Sequence, residues 1–206
     1  MPSIYELKPK FQGLLRPIVN GLARRGMTAN QITLTALLLS LAAGGLIGWV
    51  HGGWMLLILP PVLFVRMALN AMDGMLAREH SQKSALGAIL NELGDVVADI
   101  GLYLPLALVP GFDPRLVTGV VILSILTEMT GVIGVQIGAS RRYDGPFGKS
   151  DRAFVFGLMG LLLGLRVPIE RAIPYILIAM ILLLALTVLR RARRALQEVS
   201  GSGSEK

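Results

Sequence analysis

Long apolar stretches alternate along this chain with short polar segments. Six such stretches are present, at residues 30–50, 54–72, 87–109, 116–138, 152–166 and 172–189. A helix needs about 20 apolar residues, within a range of about 17–25, to cross the hydrocarbon core of a bilayer. The stretch at 152–166 is short by that measure, and the other five have the required length. The pattern predicts an all-α, polytopic integral membrane protein with six transmembrane helices.

The composition supports a membrane protein. The chain is 53% hydrophobic and only 16% charged, with a mean hydropathy of +0.65. A soluble domain usually carries about 25% charged residues, and no separate soluble domain fits between the apolar stretches. The chain has no cysteine, which excludes disulfides and thiolate chemistry.

The basic residues predict the orientation in the membrane. Arg66 lies inside a stretch, and Arg115, Arg166 and Arg171 lie on one predicted side. All the other basic residues lie on the opposite side: Lys8, Lys10, Arg16, Arg24, Arg25, Arg78, Lys83, Arg141, Arg142, Lys149, Arg152, Arg190, Arg191, Arg193, Arg194 and Lys206. Cytoplasmic loops carry the excess of Lys and Arg, so both termini are predicted to be cytoplasmic. The net charge of +7 follows from this asymmetry, and an anionic lipid surface accounts for it without nucleic acid.

The chain divides into three predicted segments. Residues 1–27 carry apolar side chains at helical spacing and are predicted to form an amphipathic helix on the cytoplasmic surface. These side chains are Leu7, Phe11, Leu14, Leu15, Ile18 and Leu22. Residues 28–190 form the six-helix membrane domain. Residues 191–206 are predicted to be a basic, flexible cytoplasmic tail, with the run Arg190–Arg194 as a membrane-surface anchor.

Polar residues interrupt the second and third apolar stretches at intervals of three or four residues. They are Arg66, Asn70 and Asp73, then Asn91, Asp95 and Asp99. This spacing places each set on one helix face. Because a short loop joins the two stretches, the helices must pack antiparallel, with Asn70 and Asp73 facing Asn91 and Asp95 near the cytoplasmic end.

Charged side chains inside a membrane span are costly, and they usually mark a functional site. Carboxylate and amide oxygens are the ligands that Mg²⁺, Mn²⁺ and Ca²⁺ prefer. The cluster therefore indicates metal-assisted chemistry on a phosphate or pyrophosphate. Two other interpretations stay open, which are buried polar groups that join helices and an ion path through a transporter.

A longer motif carries a family resemblance. Asp73–Arg78 is followed after eight residues by Gly87, and then by Asn91 and Asp95 at steps of four. This arrangement resembles the signature D-x-x-D-G-x-x-A-R, a gap of about eight, then G-x-x-x-D-x-x-x-D, of the CDP-alcohol phosphotransferase family. Asn30–Thr33 resembles the polar entry into the family's first span. The resemblance covers nearly the whole chain and implies six spans, cytoplasmic termini and a surface helix before the first span.

The resemblance also implies an activity. A CDP-linked lipid such as CDP-diacylglycerol would donate a phosphatidyl group to a small alcohol or phosphoalcohol and release CMP, as in phospholipid biosynthesis. Mg²⁺ or Mn²⁺ would lie at Asn70, Asp73, Asn91 and Asp95, with Asp95 also the general base. The implied donor-binding residues are Asn30, Thr33, Gly74, Ala77, Arg78, Lys83 and Gly87. Relatives commonly form homodimers, which stays open for this chain.

Two residues depart from the family signature. Asn70 and Asn91 stand where the family has Asp, so a site expected to hold four negative charges holds two. We expect weaker metal binding, or one ion in place of two, with Asp99 or Glu92 as side chains that could restore a charge. Two alternatives stay open, namely a weakened relative that binds CDP-lipid without turnover and a small ion-coupled transporter.

Further residues have two interpretations each. Lys149 and Arg152 lie in a basic connection where related enzymes bind a phosphate of the acceptor or lipid, and ordinary cytoplasmic charge explains them equally well. Glu128 either lines an acceptor or lipid cavity or pairs with Arg66. Two sets of glycines predict close helix packing: Gly131, Gly134 and Gly138, then Gly157, Gly160 and Gly164.

Overall fold

The computed structural model describes the backbone of residues 4–203 and the side chains of residues 11–201. Residues 1–3 and 204–206, including Lys206, and the side chains of Leu7, Lys8 and Lys10 lie outside this part. The described backbone contains α1 (Ile4–Arg24), α2 (Ala29–Val50), α3 (Leu59–Glu79), α4 (Ala85–Tyr103), α5 (Pro114–Gln136), α6 (Lys149–Gly164) and α7 (Ile173–Gly203). A 3-10 helix at Gly53–Ile58 leads into α3, and another at Leu104–Leu108 follows α4.

The predicted class of all-helical membrane protein is confirmed. Within the described residues, four helical segments are long and apolar enough to cross a membrane: Ala29–Val50, Gly53–Glu79, Pro114–Gln136 and Ile173–Gly201. Helices α4 and α6 coincide with two more of the predicted stretches. However, α6 has 16 residues, about 24 Å at 1.5 Å per residue, and α4 carries three carboxylates. The count of six spans therefore stays a prediction, as does the orientation.

Helix α1 packs beside the start of α2 and the end of α3. Leu15 and Val19 join a buried apolar cluster that includes Met75 and Leu76. The guanidinium of Arg16 donates two hydrogen bonds, of 3.2 and 2.9 Å, to the carboxylate of Glu79 at the end of α3. That carboxylate raises the pKa of Arg16, through its hydrogen bonds and then its charge. Leu14 and Ile18, on the same helix, are exposed and are available to lipid in an amphipathic helix of this kind.

Small residues set the contact between α2 and α4. A Cβ on Gly44 would overlap the backbone carbonyl of Gly101, and one on Gly101 would collide with the side chain of Leu41. Backbones approach this closely only where a side chain is missing, which is how small residues act in membrane helix packing. The crossing holds α2 against the helix that carries Asp95.

The two predicted glycine sets have different partners. Gly160 and Gly164 pack against Leu57 and Leu59 at the start of the α3 segment, as expected for helix packing. A Cβ on Gly131 would instead meet Arg141 and the backbone oxygen of Arg142. Gly131 and Gly134 therefore make room for the loop that connects α5 to α6, whereas Gly138 lies beyond the end of α5 and a Cβ there would meet nothing within 4 Å.

Helix α7 does not end at the boundary predicted for the tail. It continues through residue 203, so the segment placed in a flexible tail from residue 191 extends the last helix. Arg191, expected among the surface anchors, is buried with 2% of its surface exposed. The division into three segments otherwise stays a prediction.

Candidate active site

The hairpin of α3 and α4 brings the two predicted polar faces together. Ser84 caps α4 by accepting a hydrogen bond of 3.0 Å from the backbone N–H of Gly87. Farther into the hairpin, Nδ2 of Asn70 donates to Oδ1 of Asp95 at 3.1 Å. Asn91 lies one turn before Asp95 and is half-buried. The antiparallel pairing expected from the sequence is present at Asn70 and Asp95.

Asp73 points to α2 rather than across the hairpin. Its Oδ2 accepts a hydrogen bond of 2.8 Å from the hydroxyl of Thr33, and its side chain is buried. Asn70 and Asp73 differ by three residues, which rotates the second about 60° away from the first around the helix axis. Three helices therefore contribute to the polar cluster: α2 through Thr33, α3 through Asp73 and Asn70, and α4 through Asp95.

Two glycines of the motif lie against residues predicted to bind the donor. A Cβ on Gly87 would be 2.9 Å from Oδ1 of Asn30, and one on Gly74 would be 3.0 Å from the guanidinium of Arg78. Any larger residue at Gly87 or Gly74 would displace these polar side chains. Of the remaining predicted donor residues, Lys83 is exposed in the loop, and Ala77 is half-buried one turn beyond Asp73.

The carboxylate of Asp95 is contacted by two cations. Lys149, the first residue of α6, forms an ion pair with Oδ1, and Nη2 of Arg66 lies 3.8 Å from the same atom. Arg66 also donates to the backbone oxygen of Asp95 at 3.1 Å. All the side-chain contacts fall on Oδ1, so among the described residues Oδ2 has no hydrogen-bond partner. The side chain is 28% exposed, which leaves Oδ2 accessible.

Asp99 balances two buried arginines. Its Oδ1 lies 2.6 Å from Nη1 of Arg66, and its Oδ2 accepts a hydrogen bond of 2.8 Å from Nη2 of Arg152. Asp99, named as a side chain that could restore a charge to the metal set, thus has both of its oxygens against guanidinium groups in this structure. The predicted pair of Glu128 with Arg66 is also absent from the described contacts, because Asp99 and Asp95 take the Arg66 guanidinium.

Glu128 joins a second group of charges beside Asp95. The guanidinium of Arg141 makes two hydrogen bonds, of 2.7 and 2.6 Å, with the carboxylate of Glu92. Glu128 lies 3.4 Å from Arg141, 3.5 Å from Arg152 and 3.5 Å from Arg191. Burial alone would lower the pKa of Arg141. The charge of Glu92, the hydrogen bonds of Glu92 to Arg141 and the charge of Glu128 outweigh burial and raise this pKa.

Arg191 is a residue of this region that the sequence analysis missed. It donates from Nη1 to the backbone oxygen of Thr127 at 2.5 Å and from Nε to that of Asp144 at 3.2 Å. A signal was available in the sequence, because Arg191 continues the buried face of α7. That face consists of residues three or four apart: Leu177, Met180, Leu184, Thr187, Arg191 and Ala195.

Gln82 was also missed, and it fixes the loop between α3 and α4. Its Oε1 accepts a hydrogen bond of 2.7 Å from the backbone N–H of Ala29, and its Nε2 donates to the backbone oxygen of Met27 at 3.3 Å. Gln82 thereby attaches this loop to the beginning of α2, next to Asn30. Nothing in the sequence pattern distinguishes it from an ordinary polar loop residue.

An open cleft of about 500 Å³ runs from the polar cluster along α3 and α6. Arg66, Asn70 and Lys149 line its polar part. Its apolar walls include Pro60, Leu63, Phe64, Phe154, Leu158 and Leu161. The cleft thus connects the surroundings of Asp95 to an apolar surface between two helices.

The four predicted metal ligands offer oxygen atoms of the kind that a divalent ion binds. Two carboxylates, Asp73 and Asp95, and the amide oxygens of Asn70 and Asn91 are available. Within the described residues, no group of three or more His, Cys, Asp or Glu side chains has the arrangement of a metal site. Mg²⁺ is usually held by one or two carboxylates together with substrate phosphates. The donor chemistry of these residues therefore fits Mg²⁺ or Mn²⁺, and the number of ions stays a prediction.

These features define a helical membrane protein with a polar, charged centre next to an apolar cleft. Comparison with known proteins identifies the family, because the family model of CDP-alcohol phosphatidyltransferase matches residues 26–196. The chain belongs to the CDP-alcohol phosphatidyltransferase family. The resemblance found in the sequence is thus confirmed.

One curated protein and two solved structures are similar to this chain. The chain is 53% identical over 159 residues to inner membrane protein YnbA of Escherichia coli K12, covering 77% of this chain and 79% of that protein. Its fold is similar to that of Mycobacterium tuberculosis phosphatidylinositol phosphate synthase (PgsA1). The complex of that enzyme with manganese and citrate matches with a TM-score of 0.74 and 19% identity over 87% of both chains. The form with CDP-DAG bound matches with a TM-score of 0.70 and 21% identity over 89% of this chain and 92% of that one.

Proposed function

We propose that this protein transfers a phosphatidyl group from a CDP-linked lipid to the hydroxyl of an acceptor alcohol and releases CMP. The observation that carries the proposal is the contact of Asn70 with Asp95 at the polar end of an apolar cleft that Asn70 and Lys149 line, with Asp73 one turn from Asn70 on the same helix. Family membership supports it, as does the fold shared with a synthase solved with CDP-DAG. The protein would act in phospholipid biosynthesis as an integral inner-membrane enzyme, with its reaction centre and both termini at the cytoplasmic side.

Asp95 is the proposed general base. Its Oδ2 has no partner among the described residues, whereas Oδ1 is fixed by Asn70 and Lys149. In the proposed reaction Oδ2 takes the proton from the acceptor hydroxyl. The acceptor oxygen bonds to the phosphorus that carries the diacylglycerol, the bond between that phosphorus and the bridging oxygen breaks, and the electron pair leaves with CMP. A positioned base of this kind typically contributes about 10²–10⁴-fold to a rate.

The donor would lie across α2, α3 and the start of α4. Asn30 and Arg78, which lie against Gly87 and Gly74, are the proposed contacts of the nucleotide and its phosphates, with Lys83 at the loop. A divalent ion bound by Asp73 and Asp95, with Asn70 and Asn91, would neutralise charge on the phosphates. An acyl chain of the donor would occupy the apolar cleft between α3 and α6, because its walls are hydrocarbon and its polar end reaches Lys149.

CMP release by the purified protein tests this proposal. The assay uses detergent-solubilised full-length chain, CDP-diacylglycerol, a pool of polar acceptors, and Mn²⁺ or Mg²⁺. We expect metal-dependent release that is lost in Asp95→Asn. Asp113→Asn is the matched control, because Asp113 caps α5 and Asn caps helices as well as Asp does. The control should retain the activity of the wild type.

Other outcomes would favour the alternatives that the sequence left open. Saturable donor binding without CMP release from any acceptor would favour a weakened relative, consistent with Asn70 and Asn91. Neither donor binding nor CMP release, together with ion flux in reconstituted vesicles that Asp95→Asn abolishes, would favour a transporter. Either result would overturn the proposed reaction.

A further inference from the structure

The basic residues on the acceptor side of Asp95 are already paired with carboxylates of this chain. Lys149 pairs with Asp95, Arg152 with Asp99, and Arg141 with Glu92. Arg141 of the α5–α6 loop and Lys149 and Arg152 of α6 are therefore not free cations in this structure. An anionic ligand would have to displace carboxylates that are covalently part of the same site.

The charges in this region balance in number. The basic side chains are Arg66, Arg141, Lys149, Arg152 and Arg191, and their partners are Glu92, Asp95, Asp99 and Glu128. Asp73, on α3 beside them, adds a fifth carboxylate. A bound divalent ion and the diphosphate of the donor carry opposite charges of similar size, so their binding leaves the balance unchanged.

Some N–H groups of these guanidinium groups have no hydrogen-bond partner in the part of the chain that the structure describes. Among the described residues, Nη1 of Arg141 and both Nε and Nη1 of Arg152 are buried without a hydrogen-bond partner. Such N–H groups are costly when they are left unpaired. Because their charge is balanced, the group that satisfies them at least cost is a neutral oxygen, such as a hydroxyl, and not a second anion.

We propose that the acceptor is an alcohol without an anionic group, that is, an uncharged polyol, and that Glu92 and Glu128 select against phosphorylated acceptors. This inference rests on the proposed transfer reaction. A phosphate that reached Arg141 or Arg152 would lie close to Glu92 and Glu128, because these carboxylates contact the same guanidinium groups. Like charges placed together in a recognition site disfavour that partner. The two glutamates are thus specificity-determining residues.

Matched acceptors test the inference. CMP release is measured with glycerol against glycerol 3-phosphate, and with myo-inositol against inositol 1-phosphate, under the conditions given above. We expect kcat/KM for the uncharged member of an accepted pair to exceed that of its phosphate by at least about tenfold, which corresponds to about 1.4 kcal/mol. Equal use of both members, or a preference for the phosphate, would overturn the inference.

Substitution of the glutamates provides the second arm. In Glu92→Gln and Glu128→Gln the freed guanidinium groups should shift the preference toward the phosphorylated acceptor. Glu79→Gln is the matched control, because it also breaks an Arg–Glu pair, with Arg16, but lies away from this cluster. The acceptor preference of Glu79→Gln should equal that of the wild type. An equal shift in acceptor preference in Glu92→Gln, Glu128→Gln and Glu79→Gln would overturn the assignment.

A binding measurement separates this inference from the proposed reaction. Titration calorimetry of the wild type with glycerol 3-phosphate should show no saturable binding at millimolar concentrations, and Glu92→Gln should acquire it. Binding to the wild type that Arg141→Gln removes would overturn the inference even if no acceptor turns over. If the binding results are as expected but no acceptor leads to CMP release, the transfer reaction is refuted. The assignment of Glu92 and Glu128 as residues that select against anionic ligands would then still hold.

Discussion

Replacement of Asp99 by Asn should destabilise the protein strongly, because one carboxylate balances two buried cations. Its oxygens lie 2.6 Å from Arg66 and 2.8 Å from Arg152, and the side chains of these arginines are 4% and 0% exposed. After the change the remaining carboxylate is that of Asp95 at 3.8 Å for Arg66 and that of Glu128 at 3.5 Å for Arg152. Removal of one partner from a buried ion pair costs about 3–5 kcal/mol.

The matched comparison is Arg152→Met, which removes a cation from the same cluster. Asp99 then retains Arg66 at 2.6 Å, and Glu128 retains Arg141 at 3.4 Å, so every remaining charge has a partner. We therefore expect a smaller loss, of about 1–2 kcal/mol. The two substitutions should differ even though they break the same pair.

Thermal unfolding in detergent, followed by the loss of the monodisperse peak in size-exclusion chromatography, measures both effects. For a chain of this length 1 kcal/mol corresponds to about 2–4 °C in Tm. Asp99→Asn should lower Tm by roughly 6–20 °C and Arg152→Met by roughly 2–8 °C. Asp113→Asn, a cap replacement outside the cluster, should leave Tm nearly unchanged. Equal losses for Asp99→Asn and Arg152→Met, or a larger loss for the latter, would refute the reasoning.

Three further substitutions test the site and the packing. Gly87→Ala should displace Asn30, because the added Cβ would lie 2.9 Å from its side-chain oxygen. We expect the KM for the donor to rise several-fold while Tm stays unchanged. A fall in Tm without a change in KM would contradict this. Gly44→Ala should lower Tm by several degrees because its Cβ would overlap a backbone carbonyl, while Gly45→Ala, with nothing within 4 Å, should be tolerated. Asp73→Asn should raise the Mn²⁺ concentration needed for half-maximal CMP release at least about tenfold, because one of the two carboxylates of the predicted metal site is lost. An unchanged metal titration would exclude Asp73 as a ligand.

The sequence predicted the helical membrane fold and the contact between Asn70 and Asp95, since both follow from local periodicity. Spacings of three and four residues define a helix face, and a short loop requires the next helix to run antiparallel. The spacing does not say which neighbouring helix a given residue meets. Asp73, three residues after Asn70, therefore meets Thr33 of α2, a contact that depends on how α3 packs against α2.

The ion pairs could not be predicted in the same way, because their partners are distant in the sequence. Arg141 pairs with Glu92, 49 residues earlier, and Arg152 pairs with Asp99, 53 residues earlier. The sequence offered Glu128 as a partner of Arg66, and both side chains do lie in the cluster. Which carboxylate each guanidinium reaches depends on helix rotation and on the course of the α5–α6 loop.

The positive-inside rule shows why a count of basic residues says little about the acceptor. The rule places Arg141, Arg152, Arg190 and Arg193 on one side of the membrane because it counts charges and ignores their partners. In the structure Arg190 and Arg193 are exposed, whereas Arg152 is fully buried against carboxylates of the same chain. A basic loop attracts an anionic substrate only through charge that the fold has left unbalanced. On the proposed function, the acceptor preference of this protein should therefore follow the carboxylates that pair with Arg141 and Arg152, namely those of Glu92 and Glu128, more closely than the number of arginines and lysines in the loop.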